Sequence, residues 1–442
     1  MSWERDYQDK LTTADQAVSF LGSGAWVDYG FCTSHPHALD QALARRMEAQ
    51  DLTDLHFRGA MSLRRPAVTQ VAHAAERMDW NSWHVSGLER KLMAEGLAYY
   101  IPMRFSETPR YYREHIRSVD AALLQTAPMD GEGYFSFGLS ATHLHALCQC
   151  ARRVVVEVNR NMPRCPGGPE TKIHISQVHA VVEGEDPPVD ELPTAPATAV
   201  DEAVARLILP HISDGACLQL GVGGMPNAVG SMIARSGLRD LGVHTEIYVD
   251  AFADLAQAGR LSTERKQVFA MAAGSRRLYD YLDGNPAVEA APVDWVNAVG
   301  TIAQIDRFVS INNAVEVDLF GQVASETAGT RHISGAGGQM DFVMGAYLSK
   351  GGKSFICCSS TVKGRDGALQ SRIRPTLAGG SVVTDTRPQV HWLVTEYGAV
   401  DLKGTTTWQR AEAVISVAHP DFREELVRQA GALGIWRRSN RR

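Results

Sequence analysis

The sequence predicts an α/β protein built from two open α/β domains, and three observations support this class. Short apolar strands alternate with helical segments along the chain, which is the pattern of a sheet flanked by helices. At 442 residues, the chain exceeds the size at which one hydrophobic core usually stops growing. Finally, the same order of helix, glycine, strand, glycine and proline occurs around Gly24 and again around Gly215, which indicates that one α/β unit is duplicated.

The repeated pattern is a helix, a Gly-Ala step, a short apolar strand, a glycine and a proline. In the first copy the two glycines are Gly24 and Gly30, and in the second they are Gly215 and Gly221, with identical spacing. The leading helix is longer in the second copy. The alternative is chance recurrence, because helix, glycine, strand and proline often follow one another in α/β proteins.

Local patterns predict the individual elements of the first half. Apolar spacing, capping residues and glycine boundaries indicate a helix beginning at Thr12-Thr13, a strand at Ala25–Val27, a helix through Ala38–Leu43, a helix over Leu88–Leu97, a strand at Asp120–Leu124, a loop or hairpin over Asp130–Gly138, a helix from Thr142 to Arg152 and a strand at Val154–Val158. In the second half, Asp421 is expected to cap a helix that includes Arg423–Leu426.

An acidic, proline-rich stretch over Gly184–Pro196 has the composition of a linker. We therefore expect an N-terminal domain of residues 1–190 and a C-terminal domain of residues 191–442.

Composition favours small-molecule chemistry. The formal net charge of −6 gives no basic surface for nucleic acid or an anionic membrane. No apolar run is long enough for a membrane span, and the N-terminus lacks the apolar region of a signal peptide, so a cytoplasmic protein is expected. The seven cysteines include no C-x-x-C pair, which argues against a disulfide framework and against a zinc site. We expect buried free thiols and no metal.

Two glycine-rich loops are candidate ligand sites. The first, Gly221-Val222-Gly223-Gly224-Met225, follows the strand Leu218–Leu220 and precedes a helix. It is not a dinucleotide-binding fingerprint, because Pro226 replaces its third glycine. Backbone N–H groups at such a helix start suit a phosphate or an oxyanion, although a tight turn without a ligand would look the same.

The second loop runs from Ser334 to Phe342 and contains Gly337 and Gly338. Its small residues allow a ligand to approach the backbone closely. Lys363 lies beyond this loop and could meet the phosphates of an anionic ligand, although a plain surface role is the alternative.

The extended segment Leu241–Asp250 carries one carboxylate, Glu246, among β-branched and apolar residues. From local sequence alone, a carboxylate at a strand end that pairs with a nearby arginine is the favoured interpretation of Glu246. The sequence contains no G-x-S-x-G elbow, no H-E-x-x-H helix and no kinase signature. It therefore indicates neither a serine nucleophile, nor a zinc-protease centre, nor a kinase site of these well-known types.

Several motifs together resemble the acetyl-CoA hydrolase/transferase family, and within it most closely the 4-hydroxybutyrate and butyrate:acetate CoA-transferases. The motifs cover almost the whole chain and are DGEGYFSFGLS, VEVNRNMPR, GVGGMPNAV, GVHTEIYVD, INNAVEVDLFGQV, SGAGGQMDFVMGA, VTEYGAVDLKG and AEAVISVAHPDFREEL.

The resemblance implies two domains of the CoA-transferase type with the active site between them. It also implies that Glu246 is the covalent nucleophile, that the loop Gly221–Pro226 lines the thioester site, and that the loop around Gly337 and Gly338 contacts CoA. The implied substrates are an acyl-CoA and a small carboxylic acid, with no permanently bound cofactor. A homodimer or homotetramer is expected on the same basis.

Three positions depart from the family pattern. Val249 and Ala251 stand where a serine and a glycine are usual, and Cys165 replaces a common threonine. Because two of them lie beside Glu246, the acyl pocket is expected to differ from that of the named relatives. An acyl-CoA hydrolase and a non-catalytic acyl-CoA-binding protein are alternatives to a transferase. Access of water to the covalent intermediate distinguishes the hydrolase from the transferase.

Overall fold

The computed structural model describes residues 3–193, 196–364 and 366–436. These residues form two compact units. Unit 1 comprises the described residues up to Pro193 with Glu246–Tyr248 and Lys266–Val296, and unit 2 comprises residues 196–245, Val249–Arg265 and the described residues from Asn297 onward. The division into domains of residues 1–190 and 191–442 stays a prediction.

The α-helices of the described residues are mostly short and lie between strands. In chain order they are α1 Trp3–Lys10, α2 Ala14–Ala17, α3 Ala38–Glu48, α4 Gly87–Ala94, α5 Thr108–Glu114, α6 Leu144–Cys150, α7 Ala199–Ile208, α8 Gly224–Arg235, α9 Asp250–Gln257, α10 Arg276–Leu282, α11 Val293–Val296, α12 Val299–Ala303, α13 Gln339–Leu348, α14 Thr407–Ser416 and α15 Pro420–Ala432.

The strands up to residue 300 are β1 Trp26–Phe31, β2 Leu55–Ala60, β3 Met78–Ser82, β4 Ala98–Tyr100, β5 Ala121–Thr126, β6 Tyr134–Ser136, β7 Val154–Val158, β8 Lys172–His174, β9 Ala180–Glu183, β10 Cys217–Leu220, β11 Gly242–Tyr248, β12 Gln267–Ala272 and β13 Val288–Ala290. Those that follow are β14 Phe308–Asn313, β15 Glu316–Asp318, β16 Val323–Ala324, β17 Thr327–Ala328, β18 Arg331–His332, β19 Lys353–Cys357, β20 Thr361–Lys363, β21 Leu369–Ser371, β22 Ile373–Arg374, β23 Trp392–Thr395 and β24 Gly398–Asp401.

Unit 1 contains a seven-stranded parallel sheet with the order β4-β3-β2-β1-β5-β7-β9. Its central strands are buried on both faces and are mostly apolar, with Asp28, Arg58 and Glu157 among their buried charged residues. The strand β7 matches the predicted Val154–Val158 at both ends, and all of its residues are buried. The parallel pair β12–β13 also belongs to this unit.

Unit 2 contains the strand order β11-β10-β14-β19-β23-β24. All these pairs are parallel except the last, in which β24 runs antiparallel at the sheet edge. In both units the first strand lies between the next strand of the chain and a later one: β1 between β2 and β5, and β10 between β11 and β14. This shared order confirms the predicted α/β class with parallel sheets and agrees with the duplicated unit.

Two local predictions need correction. Of the loop or hairpin expected for Asp130–Gly138, the hairpin does not form, because the strand Tyr134–Ser136 pairs antiparallel with Lys172–His174. The cap of α15 is His419 rather than Asp421, since the His419 Nδ1 atom accepts the backbone N–H of Asp421 at 3.3 Å. Pro420 occupies the first helical position, which moves the start of the helix two residues upstream of the expected one.

Candidate active site

Glu246 is the fifth residue of β11 and the one position of that strand that is not buried. The other six residues are buried, including His244 and Thr245, whereas Glu246 is partly exposed. A strand buried on both faces is normally apolar, so a carboxylate within it differs from its surroundings. Partial exposure leaves the Glu246 carboxylate reachable by a substrate.

The first glycine loop connects β10 to α8. β10 runs parallel to β11, with Cys217 opposite Gly242 and Leu218 opposite Val243. The loop therefore leaves the carboxyl end of β10. The carboxyl ends of strands are the usual ligand side of an open α/β sheet.

The backbone of this loop is open to a ligand. Val222 is 41% exposed, and Gly223 has φ +126°, a conformation that favours glycine. Gly223 is the N-terminal cap residue of α8, and as a glycine it gives no side-chain hydrogen bond to the first N–H groups of the helix. N–H groups at a helix start favour a negatively charged oxygen.

Two amides stabilise the base of this loop. Gln219 and Asn312 exchange side-chain hydrogen bonds of 3.0 and 3.1 Å, and both are buried. The Gly221 N–H donates to the Ile311 carbonyl at 2.9 Å. Gly224 is constrained from another side, because a Cβ there would lie 3.0 Å from the Asp201 carboxylate. Sequence reasoning missed Gln219 and Asn312, and only the Asn-Asn pair at the end of an apolar run could have pointed to the latter.

The second glycine loop precedes α13 and is held by the first residue of that helix. Gly337 has φ +53°, and Gly338 is buried. The Gln339 side-chain amide donates to the Asp385 carboxylate at 2.6 Å and to the Ser325 hydroxyl at 2.8 Å. The pKa of Asp385 is raised to about 6, mainly by burial and also by the charge of Glu326, while the Gln339 hydrogen bond lowers it.

The other predicted positions lie apart from these contacts. Lys363 is exposed on the two-stranded ribbon β20–β21. Val249 is buried, and Ala251 is buried against α8, where its Cβ occupies the space beside Gly230. All seven cysteines are free thiols, and burial raises the pKa of Cys217 and Cys358 to about 12, so these two are poor nucleophiles near neutral pH.

Within the described ranges, no three His, Cys, Asp or Glu side chains are grouped so that they could hold a metal ion. No helix in this part of the chain is long and apolar enough to cross a bilayer.

The described residues form an α/β protein with a partly exposed carboxylate on a sheet strand and two glycine loops that each precede a helix. Comparison with protein families finds the acetyl-CoA hydrolase/transferase N-terminal domain over residues 1–193 and the C-terminal domain of the same family over residues 274–430. The chain belongs to the acetyl-CoA hydrolase/transferase family, as its motifs predict.

Individual relatives match over nearly the full length. The butyryl-CoA:acetate CoA-transferase of Anaerostipes caccae is 55% identical, with all of both chains covered. The 4-hydroxybutyrate coenzyme A transferase of Clostridium kluyveri is 38% identical over 97% of this chain and 99% of its own. Among solved structures, RipA from Yersinia pestis superposes with a TM-score of 0.90 at 37% identity, covering 99% of this chain and all of its own.

Proposed function

We propose that this chain, an enzyme of the CoA-transferase type, moves CoA between a short-chain acyl-CoA and a carboxylate acceptor. Acetyl, butyryl and 4-hydroxybutyryl groups are the proposed acyl groups, since the names of the relatives above refer to CoA esters and acids of this size. We further propose a cytoplasmic homodimer or homotetramer, in keeping with the family expectation.

Glu246 is the proposed nucleophile, and the observation that carries this proposal is its exposure. It is the one residue of β11 that a substrate can reach, on a strand whose other residues are buried. A carboxylate is a weak nucleophile in water, but partial burial limits its hydration, and a thioester carbonyl is a reactive electrophile.

The reaction proceeds in balanced steps. A Glu246 oxygen attacks the acyl carbonyl, the C–S bond breaks, and an acyl-glutamyl anhydride and CoA thiolate form. The thiolate then attacks the glutamyl carbonyl of the anhydride, which releases the first carboxylate and leaves a glutamyl-CoA thioester. The acceptor carboxylate reverses both steps, yielding the new acyl-CoA and free Glu246. The thioester's free energy is retained throughout.

Each attack places a negative charge on a carbonyl oxygen. Gly223 and Gly224 are proposed to supply backbone N–H groups to this oxygen, because α8 begins there without a capping side chain among the described residues. Gly221, Val222 and Met225 complete that loop. Gly337 and Gly338 are proposed to contact CoA, and Lys363 to meet its phosphates as a point charge on the surface.

Assays with and without a carboxylate acceptor distinguish transferase activity from hydrolase activity. With acetyl-CoA and butyrate, butyryl-CoA and acetate should form while little free CoA is released. Free CoA released as fast as butyryl-CoA forms, with or without the acceptor, would mean that water attacks the glutamyl thioester, and the transferase proposal would fail.

Replacement of the nucleophile gives the sharpest test. Glu246→Gln should lower turnover by about 10³-fold or more, because an amide cannot form the anhydride, while acetyl-CoA binding is retained. Glu289→Gln is the matched control, since Glu289 is another partly exposed glutamate inside a strand, β13. Intact-mass analysis after incubation with acyl-CoA and nucleophilic trapping should place the adduct on Glu246. An adduct on another residue, or unchanged turnover in the variant, contradicts the proposal. Acetyl-CoA binding without turnover by the unmodified chain would favour a non-catalytic acyl-CoA-binding protein.

A further inference from the structure

A chain of hydrogen bonds within unit 2 joins the two glycine loops, although they are more than 100 residues apart in sequence. The series of bonds passes through the end of β14, a bend after β16 and the start of α13, and its contacts run from Val222 in the first loop to Gln339 beside the second.

Gln339 is the centre of this chain. It follows Gly338 directly and is the first residue of α13, so any movement of its side chain is transmitted to the backbone of the loop. Its side-chain amide has two N–H groups, and the two are used: one reaches the Asp385 carboxylate at 2.6 Å and the other the Ser325 hydroxyl at 2.8 Å.

Ser325 carries the connection towards the first loop. Its hydroxyl donates to the Asn313 carbonyl at 3.2 Å, and its backbone N–H donates to the Thr384 hydroxyl at 3.0 Å. Asn313 in turn donates its side-chain amide to the Val222 carbonyl at 3.4 Å. A Cβ on Gly223 would lie 3.3 Å from the same Asn313 amide nitrogen, so the first loop packs closely on this residue.

Asp385 is the fixed end of the chain. Its backbone pairs with Val323 through bonds of 3.1 and 3.2 Å, and its carboxyl group is fully buried. Within the described residues, its second carboxyl oxygen, Oδ1, has no hydrogen-bond partner. Such a group is costly to bury, so the bond to Gln339 is an important compensation.

We propose that Gln339, held by Asp385 and Ser325, is a positioning residue that keeps the two glycine loops in one mutual arrangement, so that CoA is bound by both loops together. This inference rests on the proposed function, which assigns the two loops to CoA and its thioester. Neither Gln339 nor Asp385 takes part in bond making, and their effect is on the affinity for the acyl-CoA.

Affinity is measured directly by calorimetric titration with acetyl-CoA in a Glu246→Gln background, where no turnover occurs. Gln339→Met removes both N–H donors at nearly constant side-chain length, and Ser325→Ala breaks the link towards Asn313. Each should raise the Kd of acetyl-CoA about 10-fold, equivalent to about 1.4 kcal/mol. Because both changes interrupt the same series of hydrogen bonds, the double variant should lose about as much affinity for acetyl-CoA as either single variant.

A conservative change separates positioning from a plain structural role. Asp385→Asn keeps an oxygen that accepts from Gln339 and should bind acetyl-CoA within about 2-fold of the parent, whereas Asp385→Leu should match Gln339→Met. Gln409→Met is the control, since Gln409 is a glutamine that caps α14 through Thr406. It should leave the Kd unchanged. A merely structural role would lower the unfolding temperature of the network variants with the Kd preserved.

The outcomes are distinguishable. Parent-like affinity of Gln339→Met, or additive losses in the double variant, would overturn the positioning role while leaving the proposed function intact. Full turnover by Glu246→Gln in an otherwise natural chain would instead overturn the proposed function. Absence of acetyl-CoA binding by the Glu246→Gln parent would refute both.

Discussion

The loops that follow β1 in unit 1 and β10 in unit 2 occupy equivalent places in two related α/β units, yet they differ in what they offer a ligand. Both strands follow a glycine of positive φ, Gly24 at +79° and Gly215 at +72°. Six residues after these glycines comes a second one, which is Gly30 near the end of β1 in unit 1 and Gly221 directly after β10 in unit 2. From there the two backbones diverge.

The first copy satisfies its own turn with side chains. The Gly30 N–H donates to the Asp28 carboxylate at 2.8 Å, and the Phe31 N–H donates to the Ser34 hydroxyl at 2.7 Å. Ser34 then donates to the Tyr29 carbonyl at 2.9 Å. Phe31 and Ser34 are buried, as are the two residues between them, so this turn presents little free backbone to solvent.

In the second copy, the backbone of the corresponding loop is open to a ligand. Gln219, which is equivalent to Asp28, bonds with Asn312 instead of with its own loop, and the Gly221 N–H is satisfied by the neighbouring strand. Val222 is exposed and Gly223 begins a helix. The same scaffold therefore supports a closed structural turn in one unit and an open loop in the other. The difference lies in Asp28 and Ser34, which bond the first turn and whose places Gln219 and Met225 take in the second.

The largest effect on stability is expected for Gly30→Ala. Its φ of +69° is unfavourable for alanine, and the new Cβ would lie 2.5 Å from the Ser34 hydroxyl and 2.6 Å from a Leu144 methyl group. Strain and overpacking together should cost about 3 kcal/mol of unfolding free energy, measured by urea titration. The folded fraction should keep its specific activity.

Gly24→Ala is the control for this change, since φ is +79° there but no atom lies within 4 Å of the added Cβ. It should cost about 1 kcal/mol from backbone strain alone. Equal losses for Gly24→Ala and Gly30→Ala would show that the closed turn is not tightly packed.

Gly223→Ala should give the converse result, with a smaller loss of stability and a larger loss of activity. The added Cβ meets only the Asn313 amide nitrogen, at 3.3 Å, but the φ of +126° is unfavourable for alanine and the loop must shift. Displacing one backbone donor from the oxyanion should lower kcat about 10- to 100-fold. Gly259→Ala, at an exposed glycine with φ +66° in unit 2, carries similar backbone strain and should leave kcat unchanged. If both variants lose the same activity, the loop has no special part in the reaction.

How much of this contrast is readable from sequence depends on the distance over which the contacts form. The apolar run of Val154–Val158 predicts its strand at both ends, and the glycine spacing predicts the equivalent turns, because these signals are local. The pairing of Tyr134–Ser136 with Lys172–His174 joins segments far apart in the chain, so the expectation of a local hairpin is natural but wrong.

The candidate site shows the same limit. Glu246 and both glycine loops have local signatures, and the family motifs contain them. The roles assigned to them stay predictions. Gln339, Ser325 and Asp385 come from three separate segments, and nothing in the pattern around Asp385 indicates that its carboxyl group is buried against Gln339. Such networks become visible only once the chain is folded.

Asp28 should make the stability of unit 1 depend on pH, because it holds the closed turn with a buried carboxyl group. Burial raises its pKa from the ordinary 3.8 to about 6, although the hydrogen bond from Tyr112 and the charge of Arg58 oppose this shift. The folded state therefore holds one more proton than the unfolded state between these values. Stability from this group is fully present below about pH 4 and is lost as the pH rises through about 6, a fall of about 1–3 kcal/mol in the free energy of unfolding.

Asp28→Asn should remove this part of the pH dependence of the unfolding free energy, measured by urea titration between pH 4.5 and 8, since asparagine can still accept from Gly30. Asp9→Asn, at an exposed carboxylate, should leave the slope unchanged. If Asp28→Asn shows the same slope as the unmodified chain, then the closed turn holds Asp28 ionised. The stability of the turn then does not depend on a buried neutral carboxyl group.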